Sequence, residues 1–242
     1  MNQQSNTPGL INWIGYLAIT LLLILPLAVL TVRSGAWQEG LLLYSLGCLG
    51  CLLLLLLAIV LLLLPRFAPW RTGIAWRASL ALPGTLLLLS ILGSRGDYPP
   101  IHDITTDTRN PPEFTMAQEQ RGAGANPLEI VSETVTQQQG AYPDLQTIVS
   151  TMSIDEVFNR ALQVATGLGW NIYHQDRNAG VIEAVDTTSI MTFKDDVVIR
   201  VRSNARGTLL DLRSVSRVGI GDIGANARRI RTFREKFEQW EE

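Results

Sequence analysis

Residues 95–242 contain no cysteine, and residues 1–94 contain no lysine and a single acid, Glu39. The first absence excludes a disulfide framework for the second half of the chain. Both cysteines, Cys48 and Cys51, stand i, i+3 within one apolar run. A lone pair of this kind lacks the further ligands that zinc needs, so small residues at a helix contact are the reading it supports. The second absence leaves an oily half whose cations are Arg33, Arg66, Arg71 and Arg77. Residues 95–242 instead hold 16 basic and 21 acidic residues, an ordinary soluble balance. With a net charge of −2, the chain as a whole does not read as a nucleic-acid binder. Histidine is scarce, His102 and His174 only. The G-x-S-x-G nucleophile elbow and the G-x-x-x-x-G-K-[ST] phosphate loop are both missing. No reaction and no cofactor is read from what remains.

What is present in the first half is length. Residues 10–32 and 40–65 are uncharged apolar runs, each beyond the ~20 residues a helix needs to cross a bilayer core. A third run, 72–93, is interrupted by Pro83 and has Arg77 placed to snorkel. The reading is a three-helix anchor over 1–94. The loop "RFAPWRTGIAWR" carries three arginines and no acid, whereas "RSGAWQEG" balances one of each. Positive charge prefers the cytoplasmic side. The N-terminus is therefore expected in the cytoplasm and residues 95–242 outside an inner membrane, in a periplasm. If the third run fails to cross, the outer domain moves to the other side. No charged residue stands mid-span, where a transporter needs one. The helices read as an anchor or a docking surface for a membrane-protein partner, not a conduit.

Residues 95–150, with "YPPIHDITTDTRNPPEF", read as an irregular Pro-rich segment that packs on or links to the following domain. Residues 151–242 read as α+β: a helix, a four-stranded antiparallel sheet and a helix. Ser153 and Glu156 form a capping box. "RNAG" and "NARG" signal hairpins between alternating segments. The last helix begins near Gly224, with Phe233, Phe237 and Trp240 on one face and Arg231–Glu235 and Arg234–Glu238 as exposed i, i+4 pairs.

"YPPIHDITTDTRNPPEF", "AYPDL", "DDVVIRV" and "DLRSVSRVGIGDIGANARRI" together resemble the family catalogued as domain of unknown function 1499, over residues 98–242. The resemblance implies a membrane-attached or exported envelope protein. It implies no activity and supplies no catalytic residue.

The arginine- and glycine-rich stretch 213–230 has two readings. A hairpin closed by "NARG" pairs Arg200 with Asp211 and Val198 with Arg213. Asp196, Arg200, Arg202, Asp211, Arg213 and Arg217 then share one face, as an ion-pair ladder on a solvated sheet. Some arginines would tie Asp195 or Asp222 to the sheet. The alternative is an anion site. Gly219, Gly221 and Gly224 would turn backbone N–H groups toward one point at a helix N-terminus. Arg213, Arg217 and Arg228 would close on that point. A phosphate, a carboxylate or a lipid head group would fit. His102, Asp103 and Asp107 are weak metal candidates, because Asp and Thr beside prolines build turns. Asp195 and Asp196 adjoin on a strand and point to opposite faces, which argues against shared acid–base work.

Three functions remain in view. The first is a membrane-anchored envelope protein whose outer domain binds an anionic ligand or a partner protein. The second is an envelope enzyme acting on a phosphorylated or lipid substrate. The third is an assembly subunit with no small-molecule site.

Overall fold

The computed structural model describes residues 8–94, 98–205 and 207–239. The chain divides into two compact units: Met1–Gly96 with Ile190–Thr192, and Asp97–Ser189 with Phe193–Glu242.

In the first unit, α1 (Gly9–Arg33) and α2 (Trp37–Leu63) are long and apolar enough to cross a membrane. At ~1.5 Å per residue both exceed the ~30 Å core. They run antiparallel and close together because glycines face side chains. A Cβ at Gly40 would strike Val32, one at Gly47 would crowd Ile24, and one at Gly50 would strike Leu21. Cys51 does the work of a small contact residue, with its Sγ against Gly84. Both cysteines are buried and free.

The third run is not one straight span. A 3-10 helix (Pro65–Trp70) leads into α3 (Arg71–Ser79), which breaks before α4 (Leu82–Ser94). The two parts are bent by 56°. Pro83 explains the break: it has no N–H for the carbonyl of Ser79, and its ring clashes there. α4 alone rises only about 20 Å, so a third crossing requires the bent pair as a whole.

The second unit is α+β, but its sheet has six strands rather than the expected four. β1 (Asp103–Thr105) and β2 (Ile148–Ser150) come from the segment expected to be irregular, as do α5 (Ala117–Gln120) and α6 (Ser132–Ala141). Strands of three residues are too short to show a period of two. α7 (Ile154–Gly167) then precedes β3 (Asn171–Asp176), β4 (Val181–Thr187), β5 (Lys194–Asn204) and β6 (Gly207–Ser216), and α8 (Ala225–Glu238) closes the chain. The order is β1-β6-β5-β4-β3, all antiparallel, with β2 also on the outer edge of β6.

One sheet face is apolar. Val197, Ile199, Val201, Leu210 and Leu212 pack under α7 and α8 with Phe158, Phe233 and Phe237. The Ser153–Glu156 capping box starts α7, and Gly169 follows its end at φ +82°. Trp170 stacks on Phe233 at 5.5 Å, and Phe233 on Phe237 at 6.1 Å. Trp240, expected on the same stripe, lies outside the described residues. Of the two helix-surface pairs, Arg234–Glu238 forms at 3.3 Å. Arg231 reaches instead to Asp144 at 2.7 Å, because the "AYPDL" loop packs beside α8.

Candidate functional site

The second sheet face is where the chain concentrates its charge. Arg200 stands opposite Asp211, Arg202 opposite Leu209 and Val198 opposite Arg213, so Asp196, Arg200, Arg202, Asp211 and Arg213 share that face. Most of it does not meet solvent, although the Arg202 side chain at its edge stays 38% exposed. Residues 106–130 cross it as a strap, and Glu183, Asp196 and Asp211 are fully buried beneath.

Arginines and carboxylates under the strap pair off. Arg213 grips Asp103 through two bonds of 2.9 and 2.7 Å and donates to the carbonyls of Pro112 and Leu128. Arg121 and Arg217 both hold Asp196. Arg121 comes from the strap itself, 75 residues away. Burial lowers its guanidinium below the usual range, against the pull of Asp196. Arg200 and Arg202 share Asp211 and Asp107. Glu183 is held by neutral donors: the amides of Thr115 and Met116, the Thr115 hydroxyl and the Tyr173 phenol. Burial, then the charges of Asp196 and Glu183, push that phenol far above its usual range. Tyr173 therefore stays protonated and donates. An irregularity in register between Ile172 and His174 falls at Tyr173. His174 itself is half-buried in β3.

The three arginines expected to converge are thus directed to three different places. Arg213 lies on Asp103, Arg217 on Asp196, and Arg228 on the carbonyl of Ile223 and over the Tyr98 ring. The glycines do make the expected bend: Gly219 and Gly224 have φ of +93° and +71°. Gly221 sits against Pro100, where a Cβ would be a tight 3.1 Å from the Pro100 Cα. The anion at the start of α8 is Asp222, which accepts from the amides of Gly224 at 2.8 Å and Asn226 at 2.7 Å. It is an N-cap partner rather than an arginine's. Arg229, unremarked in the sequence, bridges Asp186 and Asp195 on the helix side of the sheet. Asp195 and Asp196 do point to opposite faces.

His102, Asp103 and Asp107 also part company. His102 Nδ1 meets the Ile220 carbonyl, Asp103 meets Arg213, and Asp107 meets Arg200 and Arg202. Among the described residues no three His, Cys, Asp or Glu side chains gather as a metal site would require.

A cleft of about 680 Å³ opens at one end of the charge layer. The turn after β1 supplies Thr106, Asp107, Thr108 and Arg109. α6 supplies Gln138 and Gln139, and the following loop supplies Tyr142, Pro143, Leu145, Gln146 and Thr147. Gln138 fixes α6 to β1 by bonding both the amide and the carbonyl of Thr105. Thr106 and Thr147 both donate to Asp211, tying the floor to the sheet. Tyr142 is buried in the wall, and its phenolic oxygen has no hydrogen-bond partner among the described residues. Sequence reading missed this cleft, because its walls lie 30 to 40 residues apart and its residues are threonines and glutamines with no motif.

Residues 103–237 match the family described as "Protein of unknown function (DUF1499)". No curated protein matches the chain. The match covers β1 through α8 and more than half of the chain, and the protein belongs to the DUF1499 family.

Proposed function

We propose that this is a membrane-anchored envelope protein and that its outer unit is a binding module, with the polar cleft over Asp211 as its site and a hydroxyl-rich ligand, neutral or weakly acidic, as its occupant. The observation that carries this reading is the lining itself. Three threonines, three glutamines and a tyrosine surround the cleft, and amides and hydroxyls both donate and accept as sugar hydroxyls do. Asp107 is neutralised by Arg200 and Arg202, which leaves exposed Arg109 as the cation at the rim. A carboxylate or phosphate on the ligand would go there. The sequence-level anion reading is kept in kind and moved in place, because Arg213 and Arg217 already hold carboxylates and Asp222 already caps α8. An enzyme reading draws less support, since the carboxylates nearby are held by arginines.

Isothermal titration of the full-length protein in detergent tests this, with neutral oligosaccharides, hexuronic acids and hexose phosphates as probes. Binding to one class, weakened by Arg109→Ala or Gln139→Ala, supports the reading. No heat with any class, or heat unchanged in both variants, removes it. Orientation has its own test. A reporter fused after Glu242 that works only in an oxidising compartment is expected to be active, and activity from a cytoplasm-only reporter would reverse the topology.

A partner-protein reading is favoured by one feature. Ile223 is β-branched yet has φ +51°, a conformation costing ~1–3 kcal/mol. The same loop holds Ile220 81% exposed, with Tyr98 packed against Gly224. Crosslinking from position 220 in membranes tests that surface. Failure to capture a protein would leave the cleft as the site.

A further inference from the structure

Arg77 is a cation without a carboxylate. It lies on α3 and crosses to α1, where its Nη2 donates to Asn12 Oδ1 at 3.3 Å, while Nη1 donates to the Gly73 carbonyl at 3.1 Å. No acid pairs with it among the described residues. Its stem is seated: a Cβ added at Gly15 would stand 3.2 Å from Arg77 Cδ, so the arginine lies close along α1 where that helix has no side chain. Around it is a groove of about 320 Å³ lined by Asn12, Gly15, Tyr16, Ile19, Trp76 and Leu80.

The groove has a polar and an apolar end. Asn12 is only three residues inside the start of α1, about 4.5 Å of helix rise, which is the depth of lipid head groups. Trp76 and Tyr16 are 73% and 62% exposed, and such rings sit at the membrane–water boundary. Ile19 and Leu80 continue deeper, where acyl chains run.

We propose that this groove is a site for one anionic phospholipid. The lipid phosphate pairs with Arg77, the head group rests between Tyr16 and Trp76, and an acyl chain lies along Ile19 and Leu80. Basic pockets between membrane helices hold acidic head groups in this way. The Arg77 guanidinium is held by two neutral oxygens, with no acid on it among the described residues, and has donors to spare for a phosphate. The inference rests on the first unit crossing a bilayer, and not on the outer cleft.

The test is native mass spectrometry of the full-length protein released from nanodiscs of equal phosphatidylglycerol and phosphatidylcholine. The wild type is expected to keep phosphatidylglycerol about fivefold over phosphatidylcholine, the factor that one cation near the surface contributes. Arg77→Gln should abolish the preference, and Arg71→Gln, a neighbouring exposed arginine, should leave it. Preference kept in Arg77→Gln, or lost equally in Arg71→Gln, overturns the site. Should Arg77→Gln not fold, Trp76→Ala decides, since that ring is exposed: an unchanged preference overturns the site and a weakened one supports it. Inorganic phosphate added at release should not displace the lipid. If it does so alone, the site is for free phosphate and the lipid assignment is wrong.

Discussion

Asp211 on β6 stands directly opposite Arg200 on β5, with 3.0 Å between Oδ2 and Nη2. That carboxylate is fully buried, and it also accepts from Arg202, Thr106 and Thr147. One side chain therefore joins two central strands, the strap and the floor of the cleft.

Asp211→Ala leaves two arginines facing a void. Removing one partner of a buried pair costs ~3–5 kcal/mol. Hydrogen exchange of the β5 and β6 amides in the full-length protein reports it. Protection within ~1 kcal/mol of the wild type would mean that Asp107 alone suffices for Arg200 and Arg202.

Glu183→Gln acts elsewhere. It weakens the bonds that hold Thr115 and Met116 to β4, each worth ~1.5–3 kcal/mol when the acceptor is charged. The amides of the strap should exchange faster while β5 and β6 stay protected. Equal loss in both places would show that strap and sheet open as one unit.

Arg217→Ala separates the two readings of the arginine-rich stretch. Arg217 binds Asp196 through two nitrogens and the Gln120 carbonyl through the third, yet Arg121 also holds Asp196. A loss of ~2 kcal/mol is expected, the same with or without phosphate. A variant as stable as the wild type that lacks only a phosphate response would restore the anion site.

Asp222 gives a pH dependence. Burial holds its carboxyl above the usual carboxylate range, despite the amides of Asn226 and Gly224. With the folded value above the unfolded one, stability from this group is complete below the unfolded value and is lost as pH rises through the folded one. Asp222→Asn removes the titration and keeps a capping oxygen. The wild type should therefore gain on the variant as pH falls from about 7 to about 4, followed by urea unfolding at each pH. A constant difference, or one of opposite sign, contradicts the burial.

The local signals in the sequence carry far. Ser153 and Glu156 set the start of α7, and "NARG" sets the register that puts Arg200 on Asp211. Both are decided within a few residues. Failure begins where a decision spans long separations. β1 and β2 are three residues each and exist only because β6 offers an edge. Arg121 looks like one more loop arginine until it meets Asp196. The alternation of β5 and β6 shows a polar face, but a solvated face and one under a strap read alike, because the strap's prolines and threonines say only that it is not a helix. Pro83 marks the break in the third apolar run, while the 56° bend depends on packing.

β6 is also the last strand to be made. Residues 103–105 and 148–150 leave the ribosome early, and their partner, residues 207–216, follows up to 112 positions later. At ~5–20 residues per second that is a wait of roughly 5–20 s. Until then the early segments have no edge to join, and the arginines of β5 and β6 that neutralise Asp103 and Asp107 are not yet in place. The second unit must therefore complete itself nearly at once, when β6 emerges. A chain cut before Gly207 keeps most of its length, yet it forfeits β1, β2 and the charge layer together with β6.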